Sequence, residues 1–230
     1  MILECRNLNY KYPDTENYVL KNISCKLMSP GFHALFGPSG VGKTSLAKIV
    51  TGEINCFSGD LIRNKQHIFL YTYNQERFPG WDTVSHFLDL ITPSGHKDFK
   101  DKLIDIFDVN DCIDLKFSQL SLGQQNRVNL IRYLLQHFDL LIMDESLSNV
   151  DERLREKIIL NIKELFPEKY FIYISHNLIE VTKFCRTVLI LRHNGKMPQI
   201  ITLNGLNINN GDTVSNVRFE PVILEIMNAC

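Results

Sequence analysis

Residues 32–52, FHALFGPSGVGKTSLAKIVTG, decide how the rest of the chain is interpreted. The apolar run 32–36 is followed by the glycine-rich stretch 37–44, GPSGVGKT, and then by 45–50, SLAKIV. This order of strand, loop and helix, with the spacing G-x-x-x-x-G-K-T, is typical of a phosphate-binding P-loop. An ordinary glycine-rich turn before a helix is the alternative, and the complete motif in this context disfavours it.

The residues of this loop have distinct expected roles. Glycines allow successive backbone N–H groups to point at phosphates, and the helix N-terminus adds partial positive charge. Lys43 would reach the β- and γ-phosphates, and the Thr44 hydroxyl would ligate Mg²⁺. The predicted nucleotide-binding residues of this segment are Gly37, Pro38, Ser39, Gly40, Val41, Gly42, Lys43, Thr44 and Ser45.

Length and composition limit the number of domains and the kinds of partner that we expect. A chain of 230 residues suits one sizeable domain or two small ones. Its 25 basic and 26 acidic residues leave a net charge of −1, so we expect no nucleic-acid partner. The six cysteines form no C-x-x-C pair, which indicates reduced packing residues. We expect no secretion signal and no membrane span, so that any membrane part is supplied by another chain.

Apolar periodicity predicts the architecture. Alternation over residues 2–36 predicts an antiparallel sheet before the P-loop, and helical spacing over 82–117 predicts a small helical insertion. Strands alternate with helices elsewhere, so the fold class is α/β with a mostly parallel core sheet. We also expect a hairpin over 187–203, a mobile loop over 204–216 and a short terminal helix over 217–229.

Two acidic residues, Asp144 and Glu145, follow the buried strand 138–143, FDLLIM. In a Walker B motif, the aspartate would hold Mg²⁺ and the glutamate would polarise the attacking water. A structural acidic pair at a strand end is the alternative. The P-loop upstream favours the catalytic interpretation.

The stretch 120–127, LSLGQQNR, precedes this pair. Here the chain resembles the ATP-binding subunits of ABC transporters, whose signature reads LSGGQ-x-x-R. The resemblance covers about residues 2–195 and implies a P-loop NTPase of the ABC ATPase type that hydrolyses ATP with Mg²⁺. It implies a single domain over 1–230. Its parts are an ATPase core at about 1–75 and 138–203, a helical insertion with the signature helix at about 76–137, and a loop and tail at 204–230.

The signature implies a partner. In the family, residues matching Ser121, Gly123 and Gln124 contact the nucleotide of a second ATPase subunit, so hydrolysis would need a head-to-tail homodimer or a dimer with a close paralogue. Two residues depart from the family pattern. Leu122 replaces the first signature glycine, and Ser146 replaces the proline that usually follows the Walker B glutamate. We still expect hydrolysis.

The remaining motifs imply further roles. Gln75 matches the Q-loop residue that links Mg²⁺ and attacking water to the membrane partner, and His176 matches the γ-phosphate contact of the H-loop. Asp151 ends SNVD, where the family commonly has the D-loop SALD. Tyr12 matches the aromatic residue that stacks on adenine. Strand packing is an alternative role for Tyr12, and Tyr10 could be the stacking residue instead.

Two stretches bear on the direction of transport. Residues 78–84, FPGWDTV, and 175–181, SHNLIEV, are similar to the importer patterns FP-x-x-TV and SHD-x-x-EA. The variant with Trp looks like the nitrate/sulfonate/taurine group. An aromatic cluster that packs the insertion onto the core is the alternative for the first stretch.

We therefore predict the ATPase subunit of an importer, peripheral at the cytoplasmic face of the bacterial inner membrane. Its partners would be an integral membrane permease and a substrate-binding protein. One alternative is an exporter subunit. The other is a soluble ABC ATPase acting on ribosomes or DNA, a class that usually carries two cassettes, a coiled-coil insertion or basic tails.

Overall fold

The computed structural model describes residues 1–74, 76, 80–212 and 216–229. Its strands are β1 (Leu3–Tyr10), β2 (Leu20–Leu27), β3 (Gly31–Phe36), β4 (Ser58–Arg63), β5 (Phe69–Tyr73), β6 (Leu140–Asp144), β7 (Tyr170–Ile174), β8 (Thr187–Leu191) and β9 (Ile200–Asn204). Its helices are α1 (Lys43–Thr51), α2 (Val84–Ile91), α3 (Lys97–Ile106), α4 (Leu122–Leu134), α5 (Glu152–Leu165), α6 (Leu178–Phe184) and α7 (Asn216–Ala229).

The larger sheet positions the site. Its strand order is β5-β6-β7-β3-β8-β9, and all neighbours are parallel except β8 and β9. Every residue of β6 is buried, which explains why its first four residues, LLIM, are apolar, since both faces of a parallel sheet are covered. The carboxyl ends of β6, β7 and β3 are therefore adjacent, at the edge where α/β proteins bind ligands. The predicted α/β class with a mostly parallel core sheet is confirmed.

The smaller sheet is antiparallel, with the order β2-β1-β4. The antiparallel sheet predicted over residues 2–36 is thus confirmed for β1 and β2. The prediction is wrong for β3, which lies inside the parallel sheet, and β4 joins β1 from beyond α1. Side chains such as Leu8, Ile23 and Ile49 are fully buried in a core shared by this sheet, α1 and the larger sheet.

The predicted helical insertion consists of α2 and α3, which lead into α4. Helix α2 begins after Thr83, whose hydroxyl oxygen accepts a hydrogen bond from the backbone N–H of His86 at 3.3 Å. Leu88 and Leu103 are fully buried in one hydrophobic core together with residues of helices α4 and α5. Among the described residues, no helix combines the length and apolar composition needed to cross a bilayer.

The segment after β9 differs from the predicted mobile loop. Residues 205–208 donate four backbone hydrogen bonds to carbonyl groups of residues 182, 183, 185 and 186, at and just after the end of α6. These bonds satisfy carbonyls that a helix end leaves unpaired. Residues 205–208 of the segment are therefore docked on the core.

Candidate functional site

A cleft of about 250 Å³ opens at the carboxyl ends of β3, β6 and β7. It brings together the P-loop, the acidic pair and the histidine that the sequence singled out. Its lining residues are Tyr12, Val19, Ser39, Gly40, Gly42, Lys43, Thr44, Ser45, Asp144, Glu145 and His176.

The loop backbone has the conformation that a phosphate cradle requires. Gly37, Gly40 and Gly42 all have positive φ, and Gly42 is the N-cap of α1. A Cβ atom on Gly42 would lie 2.8 Å from Val19 Cγ1 and 2.9 Å from Leu20 Cδ2, so a side chain would need both neighbours to move. The first N–H groups of α1 have no partner within the helix and lie at its positive end. The arrangement fits the triphosphate of a nucleotide.

Lys43 spans this loop from the inside. Its Nζ donates hydrogen bonds to the carbonyl oxygens of Gly37 and Pro38, both at 2.8 Å. Burial lowers the pKa of the Lys43 ammonium, while the negative charges of Asp144 and Glu145 raise it. A cation is thus held at the base of the cradle, where phosphate oxygens would neutralise it.

Hard oxygen donors meet beside the loop. The Thr44 hydroxyl donates to Asp144 Oδ2 at 2.8 Å, and the Tyr71 hydroxyl donates to the same oxygen at 2.8 Å. A hydroxyl and a carboxylate in contact form a donor set that fits Mg²⁺, which prefers oxygen ligands. Burial raises the pKa of Tyr71, so its hydroxyl stays protonated and remains a hydrogen-bond donor to Asp144. Sequence reasoning missed Tyr71, because only the parallel pairing of β5 with β6 places it there.

Glu145 and His176 form a pair at the mouth of the cleft, with His176 Nε2 2.6 Å from Glu145 Oε1. The Glu145 backbone N–H donates to the Ile174 carbonyl at 3.0 Å, which ties the end of β6 to the end of β7. Glu145 has a φ of 52°, a left-handed conformation that a non-glycine residue adopts at a cost of about 1–3 kcal/mol. A carboxylate and an imidazole so placed can accept and donate protons at one point.

Tyr12 borders the cleft on the side of the first strand. Its hydroxyl lies 2.8 Å from Ser45 Oγ, and its side chain is 48% exposed. Tyr10 packs edge-on against it, with ring centroids 5.3 Å apart, and is only 5% exposed. Of the two tyrosines that the sequence offered, Tyr12 is the one that can present a ring to a base.

The signature residues do not line the cleft of their own chain. Ser121 is the N-cap of α4 and forms a capping box with Gln124, at 3.3 Å and 2.8 Å. A Cβ atom on Gly123 would lie 2.4 Å from the Asn149 carbonyl oxygen, so glycine is required for this close approach to the D-loop. Leu122 is exposed on the first turn and disturbs neither contact.

Asparagine side chains, whose contacts sequence reasoning missed, connect the D-loop to the end of β5 and to helix α4. Asn74 Oδ1 accepts hydrogen bonds from Asn126 Nδ2 at 2.8 Å and from Asn149 Nδ2 at 3.1 Å. These bonds join the end of β5, helix α4 and the D-loop. Asp151, predicted to bind nucleotide, is the N-cap of α5 in this chain. Gln75 lies outside the described residues, so its predicted role has no geometry here.

The structure also places Ser146, the second departure from the family pattern, and Trp81 of the aromatic stretch 78–84. Ser146, in place of proline, is buried and donates to the Thr72 carbonyl at 3.2 Å, so it joins β5 to the Walker B turn. Trp81 is 79% exposed, so the alternative in which an aromatic cluster packs the insertion onto the core is wrong for this residue. Phe78 and Pro79 lie outside the described residues.

Comparisons with known proteins agree with this arrangement. A family model described as "ABC transporter" matches residues 20–148. A solved structure titled as a bacterial Atm1-family ABC exporter with ATP bound superposes with a TM-score of 0.72 at 20% identity, covering 82% of this chain and 37% of that one. It supports the fold alone, and the predicted ABC ATPase fold is confirmed.

Two curated relatives cover most of this chain. The spermidine/putrescine import ATP-binding protein PotA of Borrelia garinii is 31% identical over 210 residues, which are 83% of this chain and 60% of the relative. A Rickettsia bellii protein named for export as an ATP-binding/permease protein is 29% identical over 202 residues, 78% of this chain and 35% of the relative. The chain thus spans less than two thirds of the length of both relatives.

Proposed function

This chain belongs to the ABC transporter family, and we propose that it binds and hydrolyses ATP to power transport across a membrane through a separate permease subunit. One observation carries the proposal. The P-loop cation Lys43, the Thr44–Asp144 oxygen pair and the Glu145–His176 pair all face one cleft. Each is a part that phosphoryl transfer to water uses.

The residues divide the chemistry among them. The loop N–H groups and Lys43 would hold the phosphates, and Thr44 and Asp144 would hold Mg²⁺, which neutralises charge on the transferring phosphoryl group. Glu145 Oε1 would accept the proton of the attacking water. His176, whose Nε2 lies 2.6 Å from that same oxygen, would orient the carboxylate and contact the γ-phosphate.

The site is proposed to be completed by a second ATPase subunit, either a copy of this chain or a close paralogue. Ser121 is exposed on the first turn of its helix and does not border the cleft of its own chain, which supports a role toward the nucleotide of a partner. Two ATP molecules would then lie at the dimer seam.

We further propose import as the direction, at the cytoplasmic face of the membrane, with a permease and a substrate-binding protein as partners. The relative named for spermidine/putrescine import supports this direction. The nitrate/sulfonate/taurine group is a finer proposal that depends on the stretch 78–84. Export is the second candidate, favoured by the relative named for export. A soluble role has no such support.

The first experiment is hydrolysis of ATP by the purified chain with Mg²⁺, measured as phosphate release, with Lys43→Ala as the inactive variant and Leu224→Ala as a surface control. Turnover that vanishes in Lys43→Ala and persists in Leu224→Ala is expected. Tight ATP binding without turnover, alone and with a co-purified permease, would contradict the proposal. Vesicles that carry the assembled transporter then distinguish ATP-dependent uptake from extrusion.

A further inference from the structure

A single buried carboxylate lies beneath the segment that carries His176. Glu180, in the first turn of α6, is 5% exposed. Its Oε2 accepts hydrogen bonds from the Tyr173 hydroxyl at 2.9 Å and from Ser175 Oγ at 3.4 Å, and its Oε1 accepts one from Asn177 Nδ2 at 2.9 Å. The residues on both sides of His176 are therefore bonded to one side chain.

The same carboxylate reaches the segment that carries Glu145. Arg155 Nε, on helix α5, lies 2.5 Å from Glu180 Oε1. Arg155 also donates from its guanidinium to the carbonyl oxygen of Leu147 at 3.3 Å, two residues beyond Glu145. The turn after β6 and the turn after β7 are thus joined through one ion pair.

The Glu145–His176 pair on these two turns needs other residues to hold its geometry. The Glu145 and His176 side chains are 36% and 49% exposed. An ion pair this exposed contributes little to its own geometry, because water screens it and two flexible side chains must be ordered. Catalytic geometry is held by the packing and hydrogen bonds behind the reacting groups.

We propose that Glu180, together with Arg155, is a positioning residue that holds His176 in contact with Glu145. This inference rests on the proposed ATP hydrolysis. Neither side chain would touch nucleotide. Their effect is to keep the two turns in the one relative position at which the imidazole and the carboxylate meet.

Other groups already cap helix α6 and join it to α5, so Glu180 is not needed for those structural functions. Asn177 Oδ1 caps α6 by accepting from the backbone N–H groups of Ile179 and Glu180 at 3.0 Å and 3.3 Å. The pair Lys183–Glu156, at 3.9 Å, also bridges α5 and α6, but at the surface. It therefore offers a matched control on the same two helices.

The test compares Glu180→Gln with Glu156→Gln, each a change of carboxylate to amide in an α5–α6 ion pair. We expect Glu180→Gln to lower kcat for ATP about 10- to 100-fold with KM within about twofold, and Glu156→Gln to leave both unchanged. In a His176→Ala background, Glu180→Gln should lower kcat by less than about twofold further, because its effect passes through the imidazole. Arg155→Met should behave like Glu180→Gln.

A second readout does not depend on hydrolysis. The chain has 7 histidines, so the ring resonances of labelled histidine can be resolved by NMR and that of residue 176 identified by its loss in His176→Ala. Glu180→Gln should shift or broaden this resonance, and Glu156→Gln should not. If Glu180→Gln does not fold, Tyr173→Phe, which removes one donor to Glu180 and keeps the ring, replaces it.

An unchanged His176 resonance in Glu180→Gln would overturn the proposal. So would a kcat loss on Glu180→Gln that is as large in the His176→Ala background as in the wild type. An equal kcat loss in Glu156→Gln would overturn it too. Failure of the proposed function is a separate result. Wild-type chain that binds ATP without turnover would refute hydrolysis, while the NMR comparison would still decide the positioning role.

Discussion

His176 Nε2 lies 2.6 Å from Glu145 Oε1, although the two residues follow different strands of the central sheet. The contact arises because β6 and β7 are parallel neighbours whose last residues, Asp144 and Ile174, are paired in register. It places a carboxylate and an imidazole ring together at the mouth of the cleft that holds the P-loop. The mechanism proposed above depends on this contact.

Replacing Glu145 with glutamine should preserve ATP binding and nearly abolish hydrolysis. The amide keeps the size of the side chain but cannot act as a base, and a general base contributes about 10²- to 10⁴-fold to the rate. ATP-bound dimers should accumulate on a sizing column, measured together with phosphate release. Turnover at the wild-type rate would remove Glu145 from the mechanism.

Tyr12 should contribute to ATP affinity through its ring more than through its hydroxyl. Tyr12→Ala is expected to weaken ATP binding by about 1–3 kcal/mol, or about 5- to 150-fold in Kd. Tyr12→Phe keeps the ring and loses only the contact with Ser45, which is worth about 1 kcal/mol. Calorimetry with ATP, and with inorganic triphosphate as the ligand that lacks a base, checks this. Equal losses for both ligands would argue against stacking.

Ser121→Arg should leave the ATP affinity of the isolated chain nearly unchanged and stop turnover, because the new side chain would obstruct the nucleotide of the partner. Mixing it with Lys43→Ala tests the arrangement, since both defects can fall on one of the two sites and leave the other intact. Partial recovery of activity on mixing is expected. Loss of ATP binding by Ser121→Arg alone would place the signature in its own cleft.

Trp81→Ala should weaken assembly with the permease by about 2 kcal/mol or more, because exposed aromatic side chains commonly anchor interfaces. Trp81 is 79% exposed and does not line the nucleotide cleft, so the ATPase rate of the isolated chain should hardly change. Co-purification from mild detergent is the measurement, with Leu224→Ala on α7 as an exposed apolar control. Intact assembly would place the docking surface elsewhere.

Lys163 should make stability depend on pH in the alkaline range. Its Nζ donates to the Phe184 carbonyl at 3.1 Å and to the Ile208 carbonyl, and burial lowers the pKa of Lys163 to about 8 from 10.5. Between these two values the unfolded chain binds the extra proton. The contribution of Lys163 to the free energy of unfolding therefore rises with pH from about 8 to 10.5. This gain is lost as pH falls through about 8.

Urea unfolding at several pH values between 7 and 10 tests this by the difference between wild type and Lys163→Met. The difference should move in favour of the wild type as pH rises. Lys157→Met, an exposed lysine on the same helix, should show no such trend. A difference that stays constant over this range would contradict the shifted pKa.

Short-range sequence patterns predicted the parts of the site whose residues are consecutive. The P-loop is recognisable because its phosphate donors are neighbouring N–H groups and need glycines at set spacings, and Gly42 has the predicted kind of conformation. The buried strand before Asp144 was recognisable for the same reason, since its apolar run is local. Helices α2 and α3 followed from the helical spacing of apolar residues over 82–117.

Contacts between distant segments were decided only by the tertiary structure. Tyr71 meets Asp144 because β5 pairs with β6, and Glu180 meets Arg155 because α6 packs beside α5. No spacing in the sequence encodes these meetings, since they depend on strand register and helix packing summed over the whole core. The sequence by itself therefore determined which chemistry the chain carries, and the packing of the core decided which side chains hold that chemistry in place.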